Sequence, residues 1–441
     1  MDARRCFRLP RLLLPRPGID LARWAVIACD QHTSQPDYWR EVERYVGDAP
    51  STLRLIFPEV HLGAPDAQVR IDRIQATMRR YLRDGVLREH DGPVYVERAI
   101  GGRVRRGVLL ELDLEQYDFG RDSTSAIRPT EGTMIERLAP RIAVRRGAAV
   151  EVPHILVLID DPESTVIEPI GAQRQALSKL YETELMQGGG HVAGYAVDPS
   201  GSERLTNALH ALADPQRFAQ RYGVPAGTPV MLFAMGDGNH SLATAKSCWD
   251  DMKSSLPGGH PARFALVEIV NIHDPALDFA PIHRVLFGVS TDLRKAIADA
   301  LGARVRFTDV ASAAAMRDRV AASNGTHQAV GLIGPGARFA VADMADLPSA
   351  LAVGTLQPIL DRFVESGGAR SIDYVHGDDV LAQLAAGDNA VGVHFPALGK
   401  QDLLRMVVKE GPLPRKTFSM GEANEKRYYV EARRIQPKET L

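Results

Sequence analysis

Cysteine is scarce in this 441-residue chain: Cys6, Cys29 and Cys248 are the whole set. An odd number at wide spacing excludes a disulfide framework and a paired zinc motif, and it fits a reducing cytoplasm. Long apolar runs are missing too. The first of note, Leu12-Leu13-Leu14, is too short for the apolar region of a signal peptide, and no stretch of about 18 apolar residues offers a membrane span. Neither sign of charge dominates, since 53 Lys and Arg face 55 Asp and Glu for a net charge of −2. No global basic field therefore draws nucleic acid or an anionic membrane to the chain. Walker A, GxSxG, HExxH and the protein-kinase motif set are all absent, which removes conventional P-loop, hydrolase and zincin chemistry. What remains is a soluble cytoplasmic chain, 45% hydrophobic and 24% charged, whose expected partner is a small molecule and for which a homo-oligomer stays open.

Strand and helix patterns alternate along the chain, without internal repeats, so the expected fold class is mixed α/β. Trp24 to Cys29 reads as a strand that meets a polar cluster at Asp30-Gln31-His32-Thr33. Helical spacing predicts helices over 37–46 and 67–84, with Gly85 stopping the second. Strands at 94–100 and 106–114 flank Gly101-Gly102 as a hairpin. His154 to Ile159 reads as a buried strand. A helix is expected at 173–186, ended by Gly188-Gly189-Gly190, and another at 204–213 before Pro215. Pro229 to Met235 reads as an apolar strand, Asn239 opens a helix, and a further strand ends at Glu268 to Asn271. Alanine-rich helices and short strands, such as 329–333, fill 290–384, followed by a β-rich tail over 391–435. The expected organisation is an N-terminal region 1–124, a central region 125–289 and a C-terminal region 290–441.

The sharpest chemical signal is a strand, a tight glycine loop and a helix: Met235-Gly236-Asp237-Gly238-Asn239-His240-Ser241. Glycines let backbone N–H groups approach an anion, and the helix adds its unpaired donors and positive dipole end. Asn239 or Asp237 would cap the helix, while Leu242, Ala245, Trp249 and Met252 would bury its inner face. His240 would project from the first turn toward a phosphate, and Asp237 would serve as a Mg²⁺ ligand or a base. The plainer alternative is an ordinary strand–turn–helix connection. Asp30 stands where a strand ends, with His32 nearby, and reads either as an acceptor of a substrate proton or as a turn residue. Arg128, in a polar stretch that leads to Glu136-Arg137 and Arg141, reads as a clamp for phosphate or carboxylate, or as a solvated loop residue. His273-Asp274 and His283-Arg284 suit a metal, substrate orientation or a purely structural role. Lys416 reaches a phosphate or is solvated.

Several stretches resemble an uncharacterised prokaryotic family, domain of unknown function 1015. Asp237-Gly238-Asn239-His240-Ser241-Leu242-Ala243-Thr244-Ala245 resembles its Asp-Gly-His-His-Arg…Thr-Ala signature, and Cys29-Asp30 stands at its early Pro-Tyr-Asp motif. Asn271 with Asp274-Pro275 and Pro281-Ile282-His283-Arg284 is similar to its Asp-Asp-Pro…Pro-Thr-His-Arg stretch. Leu413-Pro414-Arg415-Lys416-Thr417 is similar to its Pro-x-Lys-Ser/Thr motif. The loop is also similar to that of the ParB/sulfiredoxin superfamily, which includes free-serine kinases. This resemblance implies a ParB/sulfiredoxin-like nucleotide-binding core with additional α/β elements, in which Asp237, Gly238 and His240 contact phosphate or metal. Ser241 replaces the usual Arg and removes a bidentate phosphate grip, so another cation such as Lys246 or Arg128 has to substitute.

The expected activity is phosphoryl transfer from ATP or another nucleotide, with Mg²⁺, to a hydroxyl of serine or a similar metabolite. Asp30, Asp237 and His240 would be catalytic. Gly236, Gly238, Asn239, Ser241, Arg128 and Lys416 would hold the nucleotide, and Asp237 the metal. A phosphohydrolase and a non-catalytic nucleotide-responsive binder are the alternatives.

Overall fold

Phe264–Asn271 is an eight-residue strand buried along nearly its whole length, which only a place inside a covered sheet allows. It lies within a mixed sheet of the computed structural model, which describes residues 3–438 apart from 136, 137, 324–326, 348, 350 and 415. Mixed α/β is the fold class observed, with several sheets. The chain divides into two units: one holds residues up to Leu277, Val407–Gly411 and Gly421 onward, the other Asp278–Met406 and Pro412–Met420.

In the first unit, β1 (Val26–Ile27) and α1 (Pro36–Val46) are followed by α2 (Ala67–Arg83), the hairpin β2 (Val94–Ile100) and β3 (Arg103–Asp113), then β4 (Ile127–Arg128). Next come α3 (Leu138–Arg145), β5 (Leu156–Ile159), β6 (Lys179–Leu185), β7 (Gly190–Ala196), α4 (Pro199–Leu212), β8 (Phe233–Asp237), α5 (Asn239–Met252) and β9 (Phe264–Asn271). The sheet runs β6-β7-β2-β3-β9-β5-β8-β4. Alternate residues of β3 and β9 enter different cores: Leu109 and Leu266 pack with Trp24, Val42 and Met78, while Val108 and Val267 pack with Phe233, Leu242 and Trp249. Both faces are therefore covered.

The helices over 37–46 and 67–84 stand as expected, within one residue at their ends, and so does the glycine hairpin, whose second strand starts three residues earlier than expected, at Arg103. Four local expectations fail. Residues 179–185 form a strand instead of a helix and pair with β7. Tyr181 crosses Gly194, where an added Cβ would lie 2.1 Å from the ring, so a gap on the neighbouring strand decides the outcome. Trp24 ends a short helix, Leu21–Trp24, and only Val26–Ile27 remain as strand. The strand before the glycine loop starts at Phe233. The tail expected to be β-rich contains the helix Lys400–Glu410.

The second unit contains β10 (Phe279–Phe287), β11 (Val305–Val310), β12 (His327–Gly334), β13 (Arg338–Ala345), β14 (Ser371–His376) and β15 (Ala390–His394). They pair in the order β11-β13-β12-β15-β10-β14, antiparallel throughout. Period-two alternation splits this sheet as well. Leu286, Val330 and Leu332 meet the helices Leu293–Leu301 and Ala352–Glu365, while Val285, Ala329 and Ile333 meet Ala313–Ala321 and Asp378–Ala385. Among the described residues, no helix is long and apolar enough to cross a membrane.

Candidate functional site

β8 pairs antiparallel with β5, and its register slips between Met235 and Asp237, so Gly236 sits in a bulge. A bulge of this kind re-aims the next side chain. Gly238 follows at φ +79°, and a Cβ there would approach Ile155 Cα to 3.1 Å, so glycine is the residue this turn takes. Gly238, not Asn239 or Asp237, is the N-cap of α5, and no side chain caps the helix. The first N–H groups of α5 have no partner within the helix. Leu242, Ala243, Ala245, Cys248 and Trp249 are buried on its inner face, which fixes the loop.

Asp237 Oδ1 accepts the N–H of Gly238 at 2.9 Å, and Oδ2 lies 3.2 Å from Lys426 Nζ. Both oxygens of Asp237 are thus engaged, one by a backbone N–H and one by an ammonium. Lys426 supplies a cation where Ser241 lacks the guanidinium. Asn239 Oδ1 is buried at the start of the helix without a hydrogen-bond partner. His240 Nε2 accepts from the Met134 N–H at 3.4 Å.

His154, just ahead of β5, joins this group through the same antiparallel register. Its Nε2 lies 3.2 Å from Ser241 Oγ and 3.5 Å from Asp30 Oδ2, and its Nδ1 lies 2.8 Å from Tyr429 Oη. Tyr429 Oη also accepts the Cys29 N–H at 3.0 Å, and Gln31 Nε2 donates to Asp30 Oδ1 at 3.0 Å. Burial works against a charge on His154, but Asp30, Asp237 and Glu59 raise its proton affinity above the ordinary histidine value. For Asp30, burial pushes upward and the His154 charge, with its hydrogen bond, overcomes it, holding the carboxyl well below the usual range. The two form an ion pair, the charged state each stabilises in the other. Burial and the Asp30 charge push the Cys29 thiol up to about 12, which removes it as a nucleophile.

A cleft enclosing about 860 Å³ of empty space, its opening to solvent included, begins at Cys29, His154, Ser241 and Tyr429. Two ion pairs line it: Arg141 with Glu59, and Arg145 with Glu151, the latter at 2.7 Å. The Glu59 N–H bonds to Cys29 O at 2.8 Å, which ties this wall to the Asp30 segment.

The fold thus brings Asp30, Gly236, Asp237, Gly238, Asn239, His240 and Ser241 into one region. Arg128 is not part of it: its Nε and Nη2 bond to the carbonyls of Ser125 and Pro229, toward the start of β8, the end away from the loop. Lys246 pairs with Asp250 at 3.1 Å along α5. Lys416 lies exposed in the second unit at φ +58°. Glu136, Arg137 and Arg415 lie outside the described residues. His32 stacks on Tyr38, ring centroids 3.7 Å apart. His273 bonds through Nε2 to Asp160 at 2.8 Å. The triple glycine turns a β-hairpin instead of ending a helix.

In the second unit, ligand-type atoms of His283, Asp378 and His394 lie within 4.8 Å of one another. Phe395 N–H donates to His283 Nδ1 at 3.1 Å, which leaves the ring proton of the neutral imidazole on Nε2, facing Asp378 at 3.1 Å. This is a hydrogen-bonded cluster, with no lone pair of His283 turned inward.

His154, Lys426 and Tyr429 are the residues that sequence reasoning missed. His154 carried a usable signal, a polar residue heading a buried strand. Lys426 and Tyr429 carried none, because their contacts lie far away along the chain.

The chain is similar, at low identity, to several solved structures. A free serine kinase variant in complex with AMP is 12% identical, with a TM-score of 0.39, over 77% of this chain and 95% of its own. A conserved hypothetical protein from Pyrococcus furiosus is 12% identical, with a TM-score of 0.36, over 78% of this chain and 100% of its own. C-terminally truncated SbnI from Staphylococcus aureus is 11% identical, with a TM-score of 0.36, over 71% of this chain and 82% of its own. No curated protein matches the sequence significantly. The model of one family, described as "Protein of unknown function (DUF1015)", matches residues 13–363, and the chain belongs to that family.

Proposed function

We propose that the chain is a nucleotide-dependent small-molecule kinase, transferring a phosphoryl group to a hydroxyl. One observation carries this reading: the uncapped start of α5, with Lys426 beside Asp237, adjoins the Asp30–His154–Ser241 cluster at a cleft. Nucleotide phosphates at Gly236 to Ser241 would meet the first N–H groups of α5, the positive end of its dipole and the Lys426 ammonium. Mg²⁺ would enter with the nucleotide, as part of that substrate. Phosphoryl transfer asks a protein mainly for positioning and charge neutralisation, which this set of groups supplies.

Asp30 is the acceptor for the hydroxyl proton. As that proton moves to Asp30, the hydroxyl oxygen bonds to the terminal phosphorus. The bond from phosphorus to the bridging oxygen breaks, and its electron pair leaves on the shortened nucleotide. His154 keeps Asp30 ionised until then, and Tyr429 fixes the ring through Nδ1.

The test is product analysis by phosphorus NMR with nucleotide, Mg²⁺ and a panel of alcohols. A kinase yields a phosphorylated alcohol only when the alcohol is added. Phosphate released without any alcohol would make the chain a hydrolase, and nucleotide-dependent stabilisation without turnover would make it a binder.

A further inference from the structure

The cleft beside Asp30 is far less polar than a site for a small, fully polar acceptor needs to be. Ile56, Phe57, Met78 and Val144 supply its walls. Its charged side chains answer one another within the wall: Arg141 with Glu59, Arg145 with Glu151, and Glu151 also with Arg433 Nε at 2.8 Å. Ionic groups already paired in this way gain little from a second charged partner, so the ligand surface that profits from entry is apolar.

The position of the cleft decides which substrate it serves. His154 and Ser241 line it, and Asp30 is bonded to His154. A hydroxyl that gives its proton to Asp30 therefore has its carbon skeleton beside these walls, while the phosphates occupy the start of α5. Resting on the kinase reading above, we infer that the acceptor is an alcohol with a branched aliphatic or aromatic body, larger than serine, which the cleft encloses. Nothing about the transfer step changes. The proton still goes to Asp30, and the leaving electron pair still goes to the nucleotide.

The experiment uses the full chain with nucleotide and Mg²⁺, and acceptor pairs that share a head group: serine with phenylserine, and ethanol with isoamyl alcohol. Turnover is measured together with the nucleotide-induced rise in Tm. The larger member of each pair should have the higher kcat/KM, by about tenfold or more, the scale on which apolar pockets discriminate. Val144→Phe, at a partly buried wall position, should erase that preference and leave the nucleotide-induced rise intact; Leu62→Trp, at a more exposed position, provides a second variant should the first fold poorly. Equal or better use of serine and ethanol, or a preference that survives both variants, overturns the inference and leaves the kinase reading standing. Failure of every alcohol to be phosphorylated, with no nucleotide-induced rise, overturns both, and that missing rise tells the two failures apart.

Discussion

Each unit sets histidine against aspartate, and the proton affinities move in opposite directions. In the first unit, carboxylates surround His154 on several sides, and their combined pull outweighs its burial. In the second, His283 and His394 stack with centroids 4.3 Å apart and share Asp378. Burial and the neighbouring imidazole, with Arg284, drive His283 down to about 4 against the pull of Asp378, and burial lowers His394 too. A carboxylate at hydrogen-bond distance therefore does not fix the charge of an imidazole. The sum of what faces the ring does, and the same two residue types give an ion pair at one place and a neutral hydrogen-bonded cluster at the other.

The strongest way to break this contrast is Asp30→Asn. Turnover should fall by about 10²–10⁴, the usual worth of a positioned proton acceptor, and the His154 resonance should titrate at lower pH by NMR. Asp378→Asn should leave turnover unchanged. Equal losses in both variants would dissolve the distinction between the clusters.

Next in size is Arg427→Met. Arg427 lies buried between Glu268 and Glu431, at 2.7 and 2.6 Å, so removing it takes the nearest cation from both, leaving Glu268 with Arg105 at 3.5 Å and Glu431 with the Tyr181 hydroxyl. The cost should be about 3–5 kcal/mol, read by urea unfolding. Trp24, Trp39 and Trp249 all belong to the first unit, so tryptophan fluorescence follows that unit alone.

Lys426→Met should weaken nucleotide binding by about tenfold, the scale of one charge-assisted hydrogen bond, measured by calorimetry. Unchanged affinity would remove Lys426 from the phosphate site.

The smallest effect comes from pH. His283 binds its proton less readily in the folded state than in the unfolded chain. Its contribution is complete above about pH 6.5 and is lost as pH falls toward about 4. His154 runs the other way, contributing fully below about pH 6.5 and losing that stability as pH rises through its elevated value. Between pH 7 and 5 the melting of the second unit, followed by circular dichroism, should drop a few degrees relative to the tryptophan signal.

Much of the site was legible because its signals are local. The glycine loop, the inner face of α5 and Asp30 at the end of an apolar run each fall within one short window of sequence. The roles of Arg128 and Lys426 were not, since which cation reaches Asp237 depends on where two distant segments lie. The failed helix at 173–186 has the same origin. Tyr181, Thr183 and Leu185 alternate as a strand does, but only the gap at Gly194 on the neighbouring strand gives Tyr181 its seat.

Tyr428–Tyr429 pairs with Val26–Ile27, and Cys29 and Tyr429 are 400 residues apart. At translation rates of about 5–20 residues per second, the first half of this pairing waits on the order of 20–80 s for its mate to leave the ribosome. Until then a nascent chain exposes the apolar Trp24–Ala28 segment with neither the ammonium nor the phenol in place. The Asp30–His154–Tyr429 cluster therefore closes only once residue 429 has been made, and the waiting segment is where a chaperone would find its earliest foothold.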